Sequence, residues 1–202
     1  KKIFEKSPST YISRIREIVK VCSEEKIELL ILPACTLYYS DVNIYNNYLQ
    51  LFVDIPIVYT GVLYDTVNSY EETANIINNG KVINTFNNQN INISDYKNIY
   101  IVSAISSTVK KTKELLKDNT SFSSKPIIIV DMGHHQYNGR YMRTLKSVNK
   151  HIKNEYDIDP ITVLSFWKFN NASIKAEWLV SEKNIEFKRI IKNSDFIDMM
   201  TV

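Results

Sequence analysis

The stretch Asn75-Ile76-Ile77-Asn78-Asn79-Gly80-Lys81-Val82-Ile83-Asn84-Thr85-Phe86 constrains this chain more than any other. Two short apolar runs flank Asn78-Asn79-Gly80, and Asn-Gly supplies the positive φ angles that a tight hairpin turn needs. The pattern predicts a hairpin with strands over Thr73–Ile77 and Val82–Phe86. Ahead of it, residues 55–63 read as a buried strand. Ile27 to Leu32 is a continuous apolar run broken only by Glu28. Such a run suits a strand covered on both faces, as in a layered α/β protein.

The preceding segment has the period of a helix. Ser7 can cap and Pro8 suits the first helical position. Tyr11, Ile12, Ile15, Ile18, Val19 and Cys22 then fall on one face, with Arg14, Arg16, Glu17 and Lys20 on the other. This helix is expected to end near Lys26, with Cys22 a core thiol. A second, short helix is expected within 41–54, with Tyr45, Tyr48, Leu49 and Phe52 inward. Tyr64 to Glu72 and Asn87 to Asp95 read as polar loops.

Further on, Ile99 to Ile105 reads as a strand. Ser106-Ser107-Thr108 can cap a helix with Val109, Leu115 and Leu116 apolar. Lys110, Lys111, Lys113 and Lys117 in that segment read as a solvated face, not a nucleic-acid stripe. Pro126 to Val130 is a β-branched strand, followed by the polar loop Asp131 to Arg140. Tyr141, Met142, Leu145, Val148 and Ile152 are spaced for a helix that Asp157-Ile158-Asp159-Pro160 breaks. Ile161–Trp167, Ile174–Val180 and Ile185–Ile191 read as strands.

With 202 residues the chain is long enough for one sizeable domain, and no change of composition marks a second. We expect a single domain over residues 1–202. The net charge of +3 is too small to indicate nucleic acid. No apolar run approaches the ~18 residues of a membrane span, and the charged start Lys1-Lys2-Ile3-Phe4-Glu5-Lys6 is unlike a signal peptide. Cys22 and Cys35 are the only cysteines, which is no disulfide framework and fits a reducing compartment. A soluble, cytoplasmic protein without a cofactor is expected. The first residue is not Met, which is compatible with excision from a longer chain.

The order of these elements, with Leu29-Leu30-Ile31-Leu32-Pro33, Asn75…Gly80-Lys81-Val82 and Tyr141-Met142-Arg143-Thr144-Leu145, resembles the nitrilase (carbon–nitrogen hydrolase) superfamily. The resemblance covers roughly residues 9–190. It implies an α/β fold, the nitrilase-like α-β-β-α sandwich, incomplete at its N-terminus by one strand. The family's chemistry needs a thiolate to attack carbon, a carboxylate to shuttle the proton and a lysine to stabilise the oxyanion. At the matching positions this chain has Ala34 for the Glu, Asn88 for the Lys and Ser103 for the Cys, with Ser106 the other candidate for the last. A Ser without base or oxyanion partner is an ordinary alcohol.

The resemblance therefore implies a catalytically inactive member acting in binding, scaffolding or oligomerisation. A homodimer, or a partner domain fused to or bound by this one, is implied as well. The family also occurs as an accessory domain of larger enzymes, including some antiphage reverse transcriptases. Two other readings keep an active site. In one, Cys35 is a displaced nucleophile of an amide hydrolase, with His134 or His135 as base; a thiolate beside His has a lowered pKa. The plain alternatives are a half-buried loop thiol and a solvated His pair. In the other, Asp131, His134 and His135 ligate a metal, although adjacent His residues seldom both reach one ion. The tyrosines and tryptophans (Tyr38, Tyr39, Tyr45, Tyr48, Tyr59, Tyr64, Trp167, Trp178) are not interleaved with Arg or Lys, so core and interface packing is expected of them.

Overall fold

The computed structural model describes residues 8–32, 36–39, 41–65, 70–87, 95–96, 99–103, 127–131, 139–157, 159–170, 173–180, 186–192 and 195–201. Helix α1 (Pro8–Glu24) follows from the period of its apolar residues. Ile15, Val19 and Cys22 are buried and Ile12 and Ile18 pack beside them, while Arg14, Arg16 and Lys20 are exposed. Val21, which the helical spacing leaves off that face, is buried too. The helix closes with Lys26 in the left-handed region at φ 54. The Ile27 amide donates to the Cys22 carbonyl at 2.9 Å and that of Lys26 to Ser23 at 3.1 Å. This pair of bonds is the Schellman closure, which satisfies carbonyls the helix end would otherwise orphan.

The chain enters β1 (Leu29–Ile31) directly. After β2 (Leu37–Tyr39), helix α2 (Val42–Leu51) begins at Asp41, whose side chain accepts from the Asn43 amide at 2.6 Å. Tyr48 and Phe52 are buried and Tyr45 and Leu49 pack beside them, as the spacing predicts. Strand β3 (Ile57–Asp65) pairs in parallel with β1 and, further along, with β2. Strand β4 (Tyr70–Asn78) pairs antiparallel with β3, and β5 (Lys81–Asn87) with β4.

The expected hairpin is present. Asn78 pairs with Lys81, leaving Asn79 (φ 44) and Gly80 (φ 75) as a two-residue turn with both φ angles positive. The register shifts between Ile76 and Ile77, so Ile83 is an extra residue on β5. Two of the polar stretches read as loops are partly strand. β3 runs on to Asp65 and β4 starts at Tyr70, because Glu71 and Glu72 are held by backbone pairing to Tyr64 and Leu63. Likewise β5 reaches Asn87.

A second sheet has the order β10-β9-β8-β7-β6. Its strands β7 (Ile99–Ser103), β8 (Ile127–Asp131) and β9 (Ile161–Asn170) are parallel. The edges β6 (Asp95–Tyr96) and β10 (Ser173–Val180) are antiparallel to their neighbours. Helix α3 (Gly139–Tyr156) lies against β9. Its Ile152 is buried, and it ends at Asp157 in the left-handed region at φ 54. Strands β11 (Glu186–Lys192) and β12 (Asp195–Thr201) pair with each other as a separate two-stranded sheet. β2, β6 and β12 were not apparent from the sequence. The helix expected after Ser106-Ser107-Thr108 lies outside the described residues.

Packing orders these parts. Along β3, Val58 and Val62 join Leu30, Leu32, Leu37 and Ile77 in a cluster with α1 and α2. The alternate residues Ile57 and Tyr59 join Ala74 and Ile76 with Ile129 of β8, and Leu29, Ile31 and Ile127 pack against them. The first sheet thus has helices on one face and the second sheet on the other. The fold is mixed α/β.

Candidate functional site

The residues to which chemistry was assigned fall at the carboxyl ends of strands. In the first sheet, Ile31 pairs with Tyr59 and Leu37 with Val62, so residues 32–36 on one strand face only residues 60 and 61 on the other. The ladder continues as far as the Leu32 amide, which donates to the Tyr59 carbonyl at 2.8 Å. Thr36, where the description resumes, is buried. The excess of residues therefore falls in the stretch that contains Ala34 and Cys35, and these two lie outside the described residues.

Parallel strands end similarly in the second sheet. Register rows run Ile99–Ile127–Ile161, then Ile101–Ile129–Val163, then Ser103–Asp131–Ser165. Two apolar rows, in which Ile129, Ile161 and Val163 are buried, give way to a polar one at the last residues of β7 and β8. Ligand sites in α/β sheets gather at such ends. Sequence reasoning picked out Ser103 and Asp131 separately; only the register puts them side by side and adds Ser165. His134 and His135, three and four residues past β8, lie outside the described residues, as do Asn88 and Ser106. The pairing of Cys35 with either His thus lies there too. Among the described residues no group of three His, Cys, Asp or Glu is placed to hold a metal.

One buried polar group was not anticipated. Thr60 of β3 and Asn75 of β4 are register partners beneath α2, and both are buried. The Asn75 amide nitrogen donates to the Tyr45 hydroxyl of α2, and the Thr60 hydroxyl donates to the Gly61 carbonyl at 3.2 Å. The Asn75 Oδ1 is buried with no hydrogen-bond partner, a costly state for an acceptor. The sequence signal was Asn75 within Ala74-Asn75-Ile76-Ile77: a polar residue in a buried run must find a partner. Amide and hydroxyls are neutral, so this group can orient α2 and supplies no acid or base.

The described thiol is equally unsuited to chemistry. Burial pushes Cys22 up to about 11, which keeps it a neutral core group as expected. Burial likewise raises the Tyr48 phenol. No helix among the described residues is long and apolar enough to cross a membrane.

No family model and no curated protein matches the sequence. Solved structures do match the fold. Glutamine-dependent NAD+ synthetase from Acinetobacter baumannii is similar with a TM-score of 0.54 at 12% identity, over 85% of this chain and 42% of that one. The synthetase from Cytophaga hutchinsonii gives 0.49 at 10% identity, over 93% of this chain and 37% of the other. This chain therefore spans less than half the length of either. Glutamine-dependent NAD+ synthetase has a nitrilase (carbon–nitrogen hydrolase) domain. At 12% identity the likeness to the first is one of fold alone.

Proposed function

We propose that this chain is a nitrilase-like α-β-β-α domain that has lost nitrilase catalysis and serves as a binding, scaffolding or oligomerisation unit. The observation that carries the reading is the stacking of helices, first sheet and second sheet, with β7 ending at Ser103. In the register that the resemblance suggests, Ser103 replaces the nucleophile while Ala34 and Asn88 replace the carboxylate and the ammonium. Ser103 then has Asp131 as its register neighbour, but no lysine in that row to neutralise an oxyanion. A pocket of this kind binds its ligand without cleaving it. A role as accessory domain of a larger protein, an antiphage reverse transcriptase among them, belongs to the same reading.

The test is ammonia release from a panel of primary amides and nitriles, with the wild type and the Cys35→Ala and Ser103→Ala variants, alongside light scattering for mass. The reading expects no turnover by any of the three and a wild-type mass of at least two chains. Turnover abolished by Cys35→Ala would replace it with a thiol-dependent amide hydrolase using Cys35 and His134 or His135. A monomer would remove the oligomerisation role.

A further inference from the structure

The charge on this chain is concentrated on one helix. Helix α3 carries Arg140, Arg143, Lys146, Lys150 and Lys153 against Glu155 alone. That is a net +4 where the whole chain has +3, so the remainder is net −1. Helix α1 makes the contrast: its Arg14, Arg16 and Lys20 are interleaved with Glu17 and Glu24, and Lys20 reaches Glu24 at 3.8 Å. On α3 the basic residues recur at intervals of three, three, four and three, the spacing that keeps side chains along one side of a helix. Ile152 is buried, whereas Lys146, Lys150 and Lys153 are exposed.

Lys153 is already occupied. Its ammonium lies 3.1 Å from both Asp157 and Asp159, beyond the end of the helix. Lys146 and Lys150 have no ion-pair partner among the described residues. Arg140, Arg143, Lys146 and Lys150 therefore form a row of four cations on a rigid element, about 15 Å long at the helical rise.

We propose that this side of α3 binds the phosphate backbone of a single-stranded nucleic acid. Cations spaced by one helical turn match a chain of regularly repeated anions, and backbone contacts need no base-reading groups. A lipid surface fits less well. Membrane-surface helices insert the apolar face of the same helix, and here Ile152 on that face is buried in the protein. Pairing of two copies through this face is also disfavoured, because a two-fold contact would set like charges opposite one another. The inference is independent of how the triad positions are aligned.

The experiment is fluorescence anisotropy of a labelled mixed-sequence oligonucleotide, as RNA and as DNA, with the full chain as wild type, K146Q/K150Q and K20Q. Four phosphate contacts predict about 50-fold weaker binding between about 50 and about 200 mM salt, and two contacts about 7-fold. Wild type and K20Q should show the steep dependence and K146Q/K150Q the shallow one, with weaker binding to every sequence. Preference between RNA and DNA would identify the strand that is bound. Absence of binding at the lower salt overturns the proposal, as does equal loss in K20Q and K146Q/K150Q. Binding to phosphatidylserine vesicles in place of either oligonucleotide overturns it as well.

Discussion

The two faces of β3 are both buried, but against different partners. One face, with Val58, Thr60 and Val62, meets the helices α1 and α2 and includes the polar group of Thr60, Asn75 and Tyr45. The other, with Ile57 and Tyr59, meets β8 of the second sheet through Ile129 and has only apolar neighbours in its cluster. The difference teaches where specificity is stored. Apolar packing between twisted sheets is tolerant of small shifts, whereas a buried amide bonded to a helix hydroxyl holds only in one position.

The largest effect should come from emptying either face. Phe52→Ala on the helix side is expected to cost about 3–5 kcal/mol and Ile129→Ala on the sheet side about 2–5 kcal/mol, measured by urea unfolding. If the Ile129 variant were near neutral while the Phe52 variant was not, the contact between the sheets would be wrong.

Next comes the hairpin that meets the end of α2. A Cβ on Gly80 would lie 2.8 Å from both the Leu49 carbonyl oxygen and Val53 Cγ1, and the residue sits at φ 75. Gly80→Ala should therefore cost about 2–3 kcal/mol, combining left-handed strain with overpacking. Asn79→Gly at the neighbouring position should be almost silent, because only the conformation and not the space is restrictive there.

A third effect depends on pH. Cys22 is raised from 9.0 to about 11 by burial. The folded state therefore keeps its proton while the unfolded chain loses it. The associated stability is present below about pH 9 and declines as pH rises toward 11, by at most about 3 kcal/mol. The gap in stability between wild type and Cys22→Ala should narrow over that window and stay constant below it.

The smallest change sharpens the comparison most. Tyr45→Phe removes the partner of the Asn75 amide without altering shape, and should cost about 1–2 kcal/mol as an unpaired buried donor. Asn75→Leu combined with Tyr45→Phe should recover part of it, because both polar groups are then gone. Additive losses in a double-mutant cycle would show that the two side chains are not coupled.

Much of this fold was legible because a few residues allow little else. Asn79-Gly80 dictates a two-residue turn, and the unbroken apolar run through Val58 and Tyr59 requires cover on both faces. The missed strands lacked such marks. Leu37-Tyr38-Tyr39 is three residues long, and Tyr70 to Thr73 is polar because its pairing to β3 is a backbone matter. Asp195 to Thr201 pairs only with β11, in a hairpin without Gly or Pro. The candidate site was less legible. Ser103 and Asp131 are 28 residues apart in the sequence, and only strand register makes them neighbours. Asn75 looked like the flank of a turn until Tyr45 was seen above it.

The central claim, a nitrilase-like fold without a nucleophile, is tested most directly by alkylation of Cys35 with iodoacetamide, followed by mass spectrometry from about pH 5 to about pH 9. Cys22 is the internal reference, since burial holds its thiol near 11 and should keep it slow throughout. The account predicts that Cys35 reacts as an ordinary thiol, slowly at pH 6 and faster as pH approaches about 8.5. Rapid modification of Cys35 at pH 6 would mean a stabilised thiolate and would contradict it.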